Sequence, residues 1–235
     1  MSVVLVLRPE PGASRTAHAV EALGLAARVH PLFAPHPVAW VAPDPAYFDA
    51  LLVTSAHTAR LAGVDIARYR ALPAYAVGDA TAQALRDLGF PNVTAGVGDG
   101  SAIASRIARD GHVRVLHPGG TTTASINAGS LHIVLVAVYT MQPADPGDAL
   151  LRDATPGAVC LVHSPRAGER LAHLVPPALR AALHLVAISP AARDASGDGW
   201  ASTQAPDRPR DEEMLALAAR LCKDGGGQSG KGRDD

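Results

Sequence analysis

The apolar positions of this chain fall into short unbroken runs. Each run is followed by a polar turn and then by a stretch with apolar residues at helical spacing. Val3–Leu7, Ala26–Leu32, Phe48–Val53, Ala74–Val77, Val113–Leu116, Ile133–Tyr139, Val159–Val162 and Leu183–Ile188 are such runs. Continuous runs of this length fit strands buried on both faces of a parallel sheet. Between them the pattern predicts helices. Ser14 or Thr16 can cap one that runs to Leu23 and stops at Gly24. Thr54-Ser55 starts another, Ser101 caps 102–108, a weak helix precedes Ile133, and 167–174 forms a further one. Ser189-Pro190 opens the next, and 212–221 closes the series behind the acidic turn Asp211-Glu212-Glu213. The clearest unit is Tyr75–Phe90: a strand, a turn at Gly78, Asp79 as N-cap, a helix to Leu88, then Gly89 and Pro91. Such a turn aims backbone N–H groups outward at a helix N-terminus, which suits an anion.

The remaining segments have other signatures. Residues 34–46 carry Pro35, Pro37, Pro43 and Pro45 and form an extended connector that cannot be helical. Met141–Pro156 is a second connector, with Pro143 and Pro146. Residues 94–100 are Gly-rich, and His117–Thr123 is a polar turn. The end, KDGGGQSGKGRDD, has the composition of a disordered tail over 223–235.

An internal repeat orders these pieces. LLVTSAHTARLAG at 51–63 resembles CLVHSPRAGERLAH at 160–173, and Ser55 and Ser164 are 109 positions apart. AYAVGDATAQALRDLGF resembles HLVAISPAARDASGDGW, with Gly78 against Ser189, 111 positions apart. GDGSAIASRIARDG at 98–111 resembles the segment 209–225. The partner of 114–139 lies at the N-terminus, 3–33, so the second copy is permuted and split. The fold class expected is α/β: two flavodoxin-like or Rossmann-like parallel-sheet lobes, joined by a two-stranded extended hinge, with a cleft between them. One lobe is discontinuous, 1–33 plus 146–222. The connectors 34–46 and 136–145 are the hinge, and 47–135 is the other lobe. Ligands of such sheets sit at the C-terminal ends of the strands. That puts Arg8, Ser55, Gly78, Gly120, Ser164 and Ser189 on ligand-side turns.

Composition narrows the chemistry. Net charge is −1 and aromatics are 4 %, so no basic surface or stacking platform invites nucleic acid, and no polybasic block invites a membrane. The start MSVVLVLRPEPG lacks a basic n-region, and no run is long enough to span a bilayer, so the expected location is cytoplasmic. The two cysteines, Cys160 and Cys222, sit in no ligand or redox motif. The ten histidines form no H-E-x-x-H, and neither a Walker motif nor a dinucleotide fingerprint is present. No metal and no cofactor is expected. No G-x-S-x-G elbow occurs, and Ser55 and Ser164 head helices, where a serine more often caps than attacks. What remains is an anion-friendly cleft of helix N-termini, hydroxyls (Thr54, Ser55, Thr81, Thr121, Ser164, Ser189) and a few arginines, suited to a polycarboxylate.

The ordered set Thr54-Ser55, Val77-Gly78-x-x-Thr81-Ala82, Pro118-Gly119-Gly120, Val138-Tyr139, His163-Ser164-Pro165 and Ala187-Ile188-Ser189-Pro190 resembles the uroporphyrinogen-III synthase family. Leu7-Arg8-Pro9 is similar to the start of bacterial members, and the resemblance runs from about residue 3 to 221. It implies a lyase of tetrapyrrole biosynthesis, on the route to haem, sirohaem or cobalamin. The lyase closes hydroxymethylbilane with inversion of ring D and loss of water, without cofactor or metal. It implies Tyr139 as the proton donor, for which a half-buried, hydrogen-bonded aromatic is the structural alternative. It implies Arg8, Thr54, Ser55, Gly78, Thr81, Gly119, Gly120, His163, Ser164 and Ser189 as substrate contacts, with His117 and His163 lining the cleft. Two departures stand out: Ala191 and Ala192 occupy positions where the family often has threonine, and only Arg8, Arg60 and Arg166 are basic near the turns. The implied partners are a small-molecule linear tetrapyrrole and a transient contact with hydroxymethylbilane synthase, for a monomer. The competing reading is a non-catalytic two-lobed ligand-binding or regulatory relative.

Overall fold

The structure, a computed structural model, describes residues 3–226. The chain divides into two compact units, Met1–Ala34 with Pro143–Asp235, and Pro35–Gln142. The first unit opens with β1 (Val3–Val6), α1 (Gly12–Ala22) and β2 (Ala26–Val29). β3 (Phe33–Pro37) leads into the second unit. That unit contains β4 (Ala50–Val53), α2 (Ala56–Leu61), β5 (Ala74–Val77), α3 (Asp79–Asp87), β6 (Val93–Gly96), α4 (Gly100–Arg109), β7 (Arg114–Gly120) and most of β8 (His132–Pro143). The first unit resumes with α5 (Gly147–Asp153), β9 (Val159–Val162), α6 (Pro165–Leu174), α7 (Pro177–Arg180) and β10 (His184–Ala187). It ends with α8 (Pro190–Ala195), β11 (Ser202–Gln204) and α9 (Asp211–Gly226).

The first unit is a five-stranded parallel sheet in the order β11-β10-β9-β1-β2. The second is six-stranded, β3-β8-β7-β4-β5-β6, and parallel from β8 to β6. Counted from β4, the second unit's strands run third, second, first, fourth, fifth across the sheet. Counted from β9 and carried on through β1 and β2, the first unit's strands run in the same order. The two sheets therefore have one topology, cut open at different points, and both are doubly wound α/β sheets. β3 and β8 are antiparallel: the Ala144 N–H donates to the Leu32 carbonyl and the Val38 N–H to the Val138 carbonyl.

The alternation along each strand explains the unbroken apolar runs. Leu5 and Leu7 of the β1 segment join one core cluster with Cys160 and Val162, while Val4 and Val6 join another with Val159 and Leu161. In the second unit Leu51 and Val53 face one cluster, and Ala50 and Leu52 face the other. A strand covered by helices on both sides needs apolar residues at every position.

Several local expectations are corrected. α1 begins at Gly12 behind Pro11, so Ser14 and Thr16 lie inside the helix and not at its cap. Gly78, at φ +79°, is the N-cap of α3, and Asp79 is its first helical residue. Asp99 and not Ser101 caps α4, its Oδ1 accepting from the N–H groups of Ser101 and Ala102 at 2.9 and 3.0 Å. His117–Gly120 is no turn: it continues β7, paired with β8 from Arg114 to Gly120. Pro118 is tolerated there because β4 pairs with β7 only at Val115 and Leu116, which leaves the rest of β7 one-sided. The Gly-rich stretch after Asn92 supplies β6, and the segment between β7 and β8 holds no helix. The second connector contains the end of β8 and all of α5. α9 continues to Gly226, so the tail expected from 223 is helical that far, and its remainder lies outside the described residues.

Candidate active site

In the second unit the C-terminal strand ends bring together neutral groups. Thr54 follows β4, and its Oγ1 lies 3.1 Å from His117 Nε2 on β7. His117 is buried, and burial pushes its pKa down to about 4, so it is uncharged at neutral pH. Ser55 caps α2 by accepting from the His57 N–H at 3.2 Å. Thr58, one turn into α2, donates to the Pro118 carbonyl at 3.1 Å. Tyr139 sits half-buried on β8, paired with Gly120 across a register shift. A Cβ on Gly120 would lie 3.1 Å from Cε2 and Cζ of the Tyr139 ring, so the group that approaches Gly120 closely is this phenol. His57 meets the same ring edge-on, with centroids 5.7 Å apart. Gly119 is buried beside His117 and Leu135. Gly78 lines a hollow of about 250 Å³ with Asp79 and residues 95–98, and its positive φ requires glycine. Thr81 is buried, leaving its hydroxyl little surface.

The first unit's strand ends are charged. Arg8 follows β1, and its Nη1 donates to Asp211 Oδ2 at 2.7 Å. His163 follows β9 with its side chain 9 % exposed, and neither ring nitrogen has a hydrogen-bond partner among the described residues. Burial first, and then the Arg8 charge, pull its pKa down to about 4 against the opposing pull of Asp211. Ser164 caps α6 by accepting from the Ala167 N–H at 3.2 Å. Ser189 caps α8 by accepting from the Ala192 N–H at 3.3 Å, and Ala192 is buried. Each cap satisfies an orphan helix donor and contributes roughly 1 kcal/mol.

Arg8, His163 and Ser164 thus line one hollow of the first unit, while Ser189 heads a separate turn. Thr54, His117, Gly119, Gly120 and Tyr139 cluster on the second. The residues missed by sequence reasoning are His57, the ring neighbour of Tyr139, and Asp211, the partner of Arg8. Asp211 was visible only as a favourable acid in a first helical turn. Among the described residues no three His, Cys, Asp or Glu side chains gather as a metal site requires. No helix of the described residues is long and apolar enough to cross a membrane.

Fold and site define a doubly wound α/β protein in two permuted units, with hydroxyls, glycines and one fixed arginine at its strand ends. The family model described as uroporphyrinogen-III synthase HemD matches residues 14–216. The chain belongs to the uroporphyrinogen-III synthase family. Its structure is similar to that of uroporphyrinogen-III synthetase from Helicobacter pylori, with a TM-score of 0.60 at 16 % identity, over 94 % of this chain and 99 % of that one. That likeness is one of fold. Uroporphyrinogen III synthase from Thermus thermophilus also matches, with a TM-score of 0.44 at 18 % identity, over 96 % and 100 % of the two chains. No curated protein sequence matches.

Proposed function

We propose that this protein is a uroporphyrinogen-III synthase, a lyase that closes hydroxymethylbilane to uroporphyrinogen III with inversion of ring D and release of water. The observation that supports it most is the family match over 14–216. The competing ligand-binding reading has no observation of its own.

The chemistry asks for little beyond positioning and one proton donor. Departure of the ring A hydroxyl as water takes up one proton and leaves an azafulvene cation. The substituted carbon of ring D attacks that cation to give a spiro intermediate. The intermediate fragments and recloses with the ring turned over, and a proton is lost as aromaticity returns. In this reading the Tyr139 phenol donates to the departing hydroxyl. Its ring is held against Gly120, with the His57 ring steeply inclined to it at 5.7 Å between centroids. His117 and His163, both held neutral near pH 7, line the site and are not the acid. Thr54, Ser55 and the N–H groups at Gly78, Ser164 and Ser189 take pyrrole and carboxylate edges, and Arg8 takes a carboxylate. Residues 34–46 and 136–145, which hold most of β3 and the second part of β8, act as the hinge. The enzyme works as a cytoplasmic monomer that receives its unstable substrate from hydroxymethylbilane synthase.

The test is a coupled assay from porphobilinogen with the preceding deaminase, separating uroporphyrin isomers after oxidation. Isomer III is expected. Isomer I alone, the product of spontaneous closure, overturns the assignment.

A further inference from the structure

The loop after β1 and the end of β9 enclose a hollow of about 320 Å³, lined by Arg8, Glu10, Arg15, Phe33, His163 and Ser164 among others. Several features mark it as built. Arg8 Nη1 donates to Asp211 at 2.7 Å and lies 3.5 Å from Thr16 Oγ1. A Cβ on Gly12 would fall 2.5 Å from Arg8 Nε and 2.9 Å from Cζ, so the guanidinium lies where a side chain at residue 12 would stand. His163 forms a wall whose ring nitrogens have no partner within hydrogen-bond distance among the described residues, with Nε2 3.6 Å from the second Asp211 oxygen. Glu10 is the one acid of the lining, and it is occupied elsewhere: its oxygens accept from the Ser14 hydroxyl at 2.8 Å and from the Ser14 N–H at 3.1 Å.

Asp211 does not line the hollow. It stands in the first turn of α9, where the helix dipole favours a carboxylate. A guanidinium carries five N–H donors, and the bonds to Asp211 and Thr16 use only Nη1. Nε and Nη2 remain to hold a carboxylate in the planar two-pronged way that lysine cannot. A water takes about 30 Å³ of liquid volume, so the hollow has room for a carboxylate arm and several waters.

We propose that this hollow is a carboxylate subsite and that Asp211 is the residue that positions Arg8 as its fork. The occupant is one acetate or propionate arm of the linear tetrapyrrole, so the inference rests on the function proposed above. The test uses the full chain with Asp211→Asn, which keeps the shape and removes the charge, and Asp211→Glu, which restores it. Asp211→Asn is expected to raise KM for hydroxymethylbilane about tenfold and to leave kcat within about twofold, the scale of one charge-assisted hydrogen bond. Asp211→Glu is expected to return most of the KM. Free propionate is expected to compete with substrate, and to do so about tenfold more weakly against Asp211→Asn. An unchanged KM in Asp211→Asn overturns the inference. So does an equal fall of kcat in both variants, which a purely structural contact would produce. If Asp211→Asn does not fold, Arg8→Lys is read by the same criteria. If the wild-type protein makes no isomer III, the function fails separately, and propionate titration followed by NMR decides the subsite. Saturable binding weakened by Asp211→Asn supports the subsite, and the absence of saturable binding overturns it.

Discussion

The two units share a strand order and differ at their ligand-side edges. β7 of the second unit and β1 of the first hold the same place in their sheets, as do β4 and β9. In the second unit this pair presents His117 and Thr54, joined at 3.1 Å and uncharged. In the first it presents Arg8 and His163, with Asp211 added from α9. The histidine has changed strands, and its former place is taken by a permanent cation. Deep in a strand, as His117 is, a charge would be costly to desolvate, so that edge is built of neutral donors and a phenol. Arg8 sits in a loop, partly exposed and paired, where a charge can be kept. One scaffold therefore carries two kinds of strand-end edge, one of neutral hydroxyl, imidazole and phenol groups and one built on an arginine–aspartate pair.

That division can be broken at three levels. Tyr139→Phe removes only the phenol oxygen. It is expected to lower kcat by about 100-fold, the low end for a lost general acid, with KM and melting temperature little changed. An unchanged kcat would take the chemistry away from the second unit's edge. Next is acid stability. His117 and His163 have folded pKa values near 4 against an ordinary 6.5, so between these values the unfolded chain binds protons that the folded one refuses. Stability is full above about pH 6.5 and falls as the pH drops toward 4, by about 2 kcal/mol at pH 5 for His117 and in the same direction for His163. Urea titrations at pH 7.5 and 5 measure it. His117→Gln and His163→Gln should each flatten the slope, and a slope untouched by either would mean that these rings are charged in the native protein. The smallest effect is Thr54→Val, which leaves His117 Nε2 without its hydroxyl. Chemical denaturation should show a loss of about 1 kcal/mol. No loss would show that the His117 ring finds another partner, so that the edge is less fixed than its geometry.

Much of the architecture was legible because its signals are local. Ser55, Ser164 and Ser189 were expected at helix starts, and each accepts a backbone N–H there. Where two polar residues compete for a cap, spacing alone does not decide: it favours Ser101, yet Asp99 two positions earlier takes the bonds. The strand at His117–Gly120 was hidden because Pro and Gly signal turns, and only the one-sided pairing of β7 reveals why they are allowed. At the site, Tyr139 and the glycines stand in recognisable motifs. Asp211 lies 203 positions from Arg8, and no periodicity or local rule connects the two. Side chains brought together from elements far apart in sequence, as these two are, leave no mark in the chain pattern.

The permuted strand order also constrains how the chain is made. β1 pairs with β2 on one side and β9 on the other, and β9 begins at Val159, after every residue of the second unit. As the chain leaves the ribosome, all of residues 35–142 are made before β9, so β1 and β2 still lack their central neighbour when every strand of the second unit is already present. Leu5, buried in the finished protein, has Leu150, Cys160, Leu171 and Leu185 in its core cluster, and none of them has been made during that interval. Synthesis order therefore assigns the neutral edge an early birth and the charged edge a late one. Asp211, which pairs with Arg8, is added only when α9 emerges, after β11.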